Sequence, residues 1–365
     1  CLENPITMLN ITHDTTVPIL GEKELYGVAA SGVCTFLFAA IVLMWRQSMS
    51  LDATKHNHGI LQFSSFFYRN SGPIMDFINA SPYIVNIVPT MTVFVGIYLR
   101  ETYGRDWMTF FTFFAGFVVV PVVDLMIGED SYNPTPEEET RLRNNKWFSF
   151  HLCLYVWTYV ATVLFIAYYI GTESGHLTGG PNELSTTALV GIASSLGISS
   201  GFGIGAIHEL IHRPSHLLLN HARTVLLFSN YNHFWIEHLW GHHKRVATEE
   251  DPASSRLNEG FWMFIFKCLY QSLVSACHLE AQFLRNKGLP WYHTGNRILY
   301  PFLCSFMIDG MIYMICGPSA FAVQMIQSFL TAMLTDNANY IEHYGLRREK
   351  KSDATDQWGL ANDYE

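Results

Sequence analysis

Residues 186–212, TTALVGIASSLGISSGFGIGAIHELIH, join an apolar run to two histidines at its end. A run of about 20 apolar residues is long enough to cross a bilayer as a helix. We therefore predict a membrane span over about 186–206, with the helix continuing through His208 and His212. These histidines stand at i and i+4, so they share one face of that helix and can bind one metal ion together.

Two further histidine groups follow other apolar segments. They are Glu237-His238-Leu239-Trp240-Gly241-His242-His243 and Asn339-Tyr340-Ile341-Glu342-His343-Tyr344-Gly345-Leu346. On an α-helix His238 and His242 would share a face, and His243 would be rotated by about 100°. We expect His242 to serve one ion with His238 while His243 faces a second. Imidazole is the commonest metal ligand, and nitrogen-rich iron sites with open positions suit oxygen activation.

Carboxylates stand directly beside the candidate ligands. Glu209, Glu237 and Glu342 each adjoin one of these histidines in the sequence. Carboxylates that orient metal-bound imidazoles are common in metalloproteins, which makes these three candidates for a supporting catalytic role. The alternative for each is a solvent-exposed loop carboxylate.

The composition is that of a membrane protein. Of 365 residues, 49% are hydrophobic and 15% are charged, against about 25% charged in soluble domains. The net charge of −9 argues against nucleic acid as a partner.

Seven stretches are long and apolar enough for membrane spans, and the segment 261–279 has the mixed character of an interfacial helix. The spans are about 26–45, 83–99, 108–128, 148–170, 186–206, 298–316 and 318–335. Arginine and lysine concentrate in alternate loops, which by the positive-inside rule places all the histidine groups on the cytoplasmic side. We predict an all-α, multi-pass transmembrane helical bundle with a cytoplasmic-face histidine cluster.

The histidines allow other interpretations. His208-Glu209-Leu210-Ile211-His212 also matches the HExxH motif of zinc proteases, in which the glutamate is the general base. That enzyme gives no reason for the doubled histidine at 242 and 243. His216, His221, His233 and His278 are interpreted as structural histidines.

The three histidine motifs resemble the integral-membrane alkane monooxygenase family, whose members are non-haem di-iron enzymes related to the membrane fatty acid desaturases. The similarity extends through Arg245-Val-Ala-Thr-Glu-Glu-Asp251-Pro-Ala-Ser-Ser-Arg256 and covers roughly 83–352. The segment 1–82 would be an N-terminal region with one extra span, and 353–365 a divergent tail.

The resemblance implies O₂-dependent hydroxylation of the terminal carbon of an alkane or fatty-acyl chain. Two non-haem iron ions would serve as cofactors, and electrons would come from a rubredoxin-like donor and its reductase. The inherited ligands would be His208, His212, His238, His242, His243 and His343. Desaturation or hydroxylation of another membrane lipid is the runner-up reaction.

The family pattern also includes an HxxHH motif beyond the third histidine group. The sequence contains no histidine after His343. We expect either a truncated product of a longer gene or a catalytically impaired relative that no longer holds both irons.

Overall fold

The structure is a computed structural model that describes residues 76, 77, 80, 86–127, 134–352 and 355–362. The first predicted span, 26–45, lies outside the described residues. Those residues are overwhelmingly helical, which confirms the all-α fold class.

The helices are numbered here in chain order. Their bounds are α1 Val88–Tyr103, α2 Phe111–Phe114, α3 Val120–Ile127, α4 Pro136–Arg143, α5 Lys146–Glu173, α6 Thr186–Phe202, α7 Ile204–Ile211, α8 His216–Phe228, α9 Phe234–Ile236, α10 His243–Arg245, α11 Phe261–Asn286, α12 Leu299–Cys316 and α13 Pro318–Glu342. A 3₁₀-helix covers Asp106–Phe110, and π-helical turns cover Ala115–Val119 and Glu237–His242.

Four helical segments of the described chain are long and apolar enough to cross a membrane. They are Asp106–Val123, Lys146–Glu173, Thr186–Ile211 and Leu299–Cys316. Six of the seven predicted spans lie largely within the described residues, two more than this number. Helix α1 has 16 residues, short of the roughly 20 that a bilayer requires, and α13 carries buried polar side chains such as Gln324 and Gln327. The four segments support an integral membrane protein.

Helix α13 packs closely along α6 because small residues of α6 face it. A Cβ atom at Gly197 would lie 2.6 Å from the Cβ of Leu330, and one at Gly201 would overlap Leu334. Glycines four residues apart let two helix backbones approach in apolar surroundings. This contact positions the end of α13, and therefore His343, relative to the helices that follow α6.

Polar side chains inside the bundle are paired across helices. The hydroxyl of Tyr159 donates to Oε1 of Gln327 over 3.2 Å, and Ser200 shares a hydrogen bond with Thr331. Gln327 also donates to the carbonyl of Phe228 over 2.9 Å. A polar group buried without a partner costs free energy, so these bonds select one register between α5, α6 and α13.

Helix α11 is amphipathic, in line with the interfacial interpretation of 261–279. One face buries Phe264, Ile265 and Cys268 against the bundle. The other face exposes large apolar side chains, namely Trp262, Met263, Phe266 and Tyr270.

An antiparallel strand pair follows the last helix. Its strands, β1 and β2, run over Arg347–Ser352 and Thr355–Asn362. The backbone N–H of Arg348 donates to the carbonyl of Ala247 over 2.7 Å and ties the pair to the loop after α10. The sequence of this stretch does not predict a strand, because it lacks apolar alternation.

The close contact of α6 with α13 predicts that Gly197→Ala destabilises the fold. Its new methyl would meet the Cβ of Leu330, an atom next to the backbone that cannot swing aside. We expect a loss of about 1–3 kcal/mol in the free energy of unfolding, measured in detergent. Gly205→Ala is the matched control, since a Cβ there has nothing within 4 Å. Equal stability of the two variants would contradict the proposed packing.

Candidate metal centre

A break between α6 and α7 sets the direction of the helix that carries the first histidine pair. Gly203 stands at this break, and a Cβ atom there would overlap the ring of the fully buried Tyr155. The chain therefore bends against Tyr155 and continues as α7. His208 and His212 lie one turn apart on that helix, with ring centroids separated by 4.7 Å, as their spacing predicts.

The second motif is a π-helical turn. Residues Glu237–His242 form this turn between α9 and α10. In a π-helix the backbone hydrogen bonds join residues five apart, so residues at i and i+5 come close in projection. His238 and His243 are five apart, and their Nε2 atoms lie 2.9 Å from each other.

Four imidazoles converge on one point. The Nε2 atoms of His212 and His238 are 3.1 Å apart, and one nitrogen from each of four rings lies within 4.8 Å of the others. The four belong to His208, His212, His238 and His243. We name them the four-histidine cluster. The structure thus brings a nitrogen of His243, rather than of His242, into the cluster with His238, because the turn is π-helical and not α-helical.

The surroundings of His238 and His243 favour the neutral form of these two rings. Burial, together with the charges that neighbouring histidines would carry, lowers the pKa of His238 to about 2. Burial likewise lowers the pKa of His243. Neutral imidazole is the form that donates a lone pair to a metal. Four imidazole nitrogens at this separation fit one transition-metal ion.

His242 contributes no nitrogen to the cluster, although its ring stacks on that of His238 with centroids 5.5 Å apart. Its ring also lies beside that of His343. The centroids of these two rings are 4.9 Å apart. The Nδ1 atom of His242 lies 2.9 Å from Oδ2 of Asp251, which also accepts from Ser254 over 2.6 Å. Although burial alone would raise the pKa of Asp251, the hydrogen bond from His242 lowers it. A carboxylate on one ring nitrogen leaves the other free for a metal.

The three carboxylates that adjoin histidines in the sequence lie in different environments. Glu209 pairs with Arg213, with Oε1 and Nη2 2.5 Å apart, and Glu342 is exposed. Glu237 is buried, and its Oε1 accepts from Nη2 of Arg245 over 2.6 Å. Burial raises the pKa of Glu237 to about 7 against the opposing effects of Ser275 and Arg245. Within the described chain none of the three hydrogen-bonds to a candidate ligand.

Asp251 is the carboxylate that contacts a candidate ligand although it does not adjoin any histidine in the sequence. It lies nine residues after His242 and reaches the histidine through a loop that the motif spacing does not describe. The available signal was its position inside the stretch that resembles the alkane monooxygenases.

The structure explains why the second motif contains a glycine at position 241. A Cβ atom at Gly241 would overlap the carboxylate of Glu237, four residues earlier. The side chain of Glu237 therefore folds across the glycine and reaches Arg245. Any larger residue at 241 would push out the carboxylate or unwind the π-helical turn.

The remaining histidines named above stay outside the centre. Nδ1 of His221 hydrogen-bonds to the carbonyl of Leu217 over 2.8 Å, while His216 and His278 are exposed. His233 is buried, and its ring packs against Tyr231 and Phe302. Burial lowers the pKa of His233 to about 4, so this ring is neutral at physiological pH.

Comparison with known proteins agrees with this geometry. Residues 185–363 match the family model described as fatty acid desaturase. The alkane 1-monooxygenase of Acinetobacter baylyi is 34% identical over 239 residues, which are 65% of this chain and 56% of that protein. The alkane 1-monooxygenase of Pseudomonas putida is 33% identical over 264 residues, which are 72% of this chain and 63% of that protein.

A more distant relative is the xylene/toluene monooxygenase hydroxylase component of Pseudomonas putida, 26% identical over 181 residues, or 49% of this chain and 48% of that protein. Residues 185–363 thus resemble a fatty acid desaturase domain. More specifically, the chain is a homologue of the alkane 1-monooxygenases, which confirms the resemblance seen in the sequence. It spans 56% to 65% of the length of the first three curated relatives.

The π-helical turn predicts opposite effects for two adjacent histidines. His243→Ala should abolish the absorption of cobalt(II) bound at the four-histidine cluster, whereas His242→Ala should retain that spectrum. An α-helical turn would require the reverse, because His242 would then adjoin His238. Titration of each variant with cobalt(II), followed by visible absorption, decides between the two arrangements.

The hydrogen bond from His242 to Asp251 predicts a second effect. Asp251→Asn removes the charge that orients the ring, and we expect metal affinity at His242 to fall by about 10- to 100-fold. Metal content during titration with a chelator measures this loss. Glu342→Gln is the matched control, since Glu342 is exposed. Unchanged metal retention in Asp251→Asn would mean that the hydrogen bond between His242 and Asp251 has only a structural role.

Proposed function

We propose that the protein is an O₂-dependent membrane hydroxylase acting on the terminal carbon of an alkane or fatty-acyl chain. The observation that carries the proposal is the convergence of four imidazoles at the end of an apolar helical segment, Thr186–Ile211. The names of its relatives support the reaction class. Nothing in this donor set calls for a soluble, polar substrate.

The proposed cofactors are two non-haem iron ions. His208, His212, His238 and His243 would hold one ion, while His242 and His343 would contribute to the other. Bound iron would supply O₂ activation, with one oxygen atom entering a C–H bond and the other leaving as water. That balance needs two electrons and two protons, which is why an external reductant belongs to the proposal.

The surroundings of the second motif suit an apolar substrate. Phe234, Trp235 and Ile236 are buried directly before the π-helical turn, and the ring of Phe234 stacks on His238 with centroids 5.1 Å apart. These side chains exclude water from one side of the centre. An alkyl chain arriving from the bilayer would remain in contact with apolar groups until it reached the histidines.

Part of the centre is exposed, where a soluble partner would approach. His212 and His243 are exposed, and Arg213 and Lys244 lie beside them in the sequence. We assign this side to the cytoplasm and to a rubredoxin-like electron donor with its reductase. Basic side chains at such a surface would attract an acidic donor.

Desaturation of a lipid is the second candidate, favoured by the match to the fatty acid desaturase model over 185–363. The protease reading of His208-Glu209-Leu210-Ile211-His212 is less compatible. The carboxylate of Glu209 is held in an ion pair with Arg213, whereas a general base must be free to take a proton.

The product of the reaction tests the proposal. The protein with its native C-terminus, in membranes with a rubredoxin, its reductase and ¹⁸O₂, should convert an alkane to a ¹⁸O-labelled terminal alcohol. His238→Ala should lose both activity and iron, whereas His221→Ala should keep both. Formation of an alkene would favour the desaturase, and iron-free protein without product would reject both enzymes.

A further inference from the structure

A pocket of about 330 Å³ lies between α8 and the beginning of α12, apart from the histidine centre. Apolar side chains form part of its wall, including Leu226, Leu227 and Pro301. Asn220, Arg223 and Tyr300 contribute its polar groups. The pocket therefore combines a charged group with apolar walls, which is the composition required by an amphiphile.

Arg223 brings a positive charge into the pocket without a carboxylate to balance it. Its side chain is half-buried, donates to Oδ1 of Asn220 over 3.3 Å and lies 5.3 Å from the ring centroid of Trp235. Among the described residues no carboxylate comes within 4.0 Å of its guanidinium. A guanidinium has five N–H donors, so most of those on Arg223 remain for a ligand.

A neighbouring arginine shows the contrast. Arg297 lies over the same Trp235 ring at 5.5 Å, but its Nε and Nη2 donate to Oε2 of the buried Glu280 over 2.8 and 2.7 Å. The charge of Glu280 is thus engaged by Arg297. Burial lowers the pKa of Arg223, and the charge of Arg297 lowers it further, with Glu280 opposing in part. The surroundings of Arg223 consequently favour an added anion.

The pocket lies where a membrane span begins. Tyr300 and Pro301 belong to the first turn of α12, and Leu299–Cys316 is one of the segments that can cross a membrane. Trp291 and Tyr292 are exposed in the preceding loop, as aromatic residues at membrane surfaces often are. Further along α12 the side chain of Phe306 is 81% exposed and available to acyl chains.

We propose that this pocket binds the anionic headgroup of a membrane phospholipid, with the phosphate on Arg223 and Asn220. The planar guanidinium matches phosphate oxygens in a two-pronged geometry. Basic pockets beside membrane helices are established sites for anionic lipid headgroups. The acyl chains would continue along the exposed face of α12. Free inorganic phosphate shares the headgroup chemistry but gains nothing from the apolar walls.

Native mass spectrometry of the detergent-solubilised protein tests this site. With an equal mixture of phosphatidylglycerol and phosphatidylcholine, the wild type should retain phosphatidylglycerol preferentially. Arg223→Gln should reduce that preference by about tenfold, the worth of hydrogen bonds to a charged group. Arg285→Gln removes the same charge from an exposed arginine that does not line the pocket, and should leave the preference unchanged.

Two further measurements distinguish the source of the anion and guard against misfolding. Cys304→Phe fills the pocket while keeping Arg223, and should also lose the preference. Inorganic phosphate at millimolar concentration should raise the melting temperature less than phosphatidylglycerol does. Equal stabilisation by phosphate would mean that the site binds a free anion and not a lipid headgroup. An unchanged preference in both Arg223→Gln and Cys304→Phe would overturn the proposal.

Discussion

The arrangement of the centre depends on one backbone feature, the π-helical turn over Glu237–His242. Its geometry selects which of two adjacent histidines joins His238, and thereby divides the six candidate ligands into a group of four and a pair. The π-helical turn itself depends on Gly241, because the carboxylate of Glu237 occupies the space that a side chain at position 241 would need. Unusual helical turns of this kind recur at functional sites, since they aim side chains that a regular helix would separate.

Helix packing brings distant parts of the chain to this turn. Gly197 and Gly201 let α13 approach α6, while the break at Gly203 aims α7 and its histidines. The hydrogen bonds of Gln327 and Thr331 hold α13 in register with α5 and α6, so that His343 at its end lies beside His242. Close backbone contact and buried polar pairing thus act together: the first permits the approach, and the second selects one position along it.

Much of this could be predicted from periodicity alone. The i, i+4 spacing of His208 and His212 on a helix, the apolar runs and the amphipathic character of 261–279 all follow from patterns within one element. The pairing of His243 with His238 could not be predicted, because α-helical spacing was applied to a π-helical turn. Asp251 and the glycines of α6 were missed for a different reason. Their partners lie across a loop or more than a hundred residues away, and local spacing carries no information about such contacts.

The buried charges of the centre also explain why it suits cations. Asp251 is ionised through its bond to His242, and Glu237 is buried beside His238 with its pKa raised to about 7. A divalent cation on the neighbouring histidines would favour the ionised carboxylate, since a nearby opposite charge stabilises the charged form. Ionised Glu237 would in return partly offset the charge of the cation. Metal binding and ionisation of Glu237 therefore support each other, and the ion pair with Arg245 holds the ionised carboxylate in place.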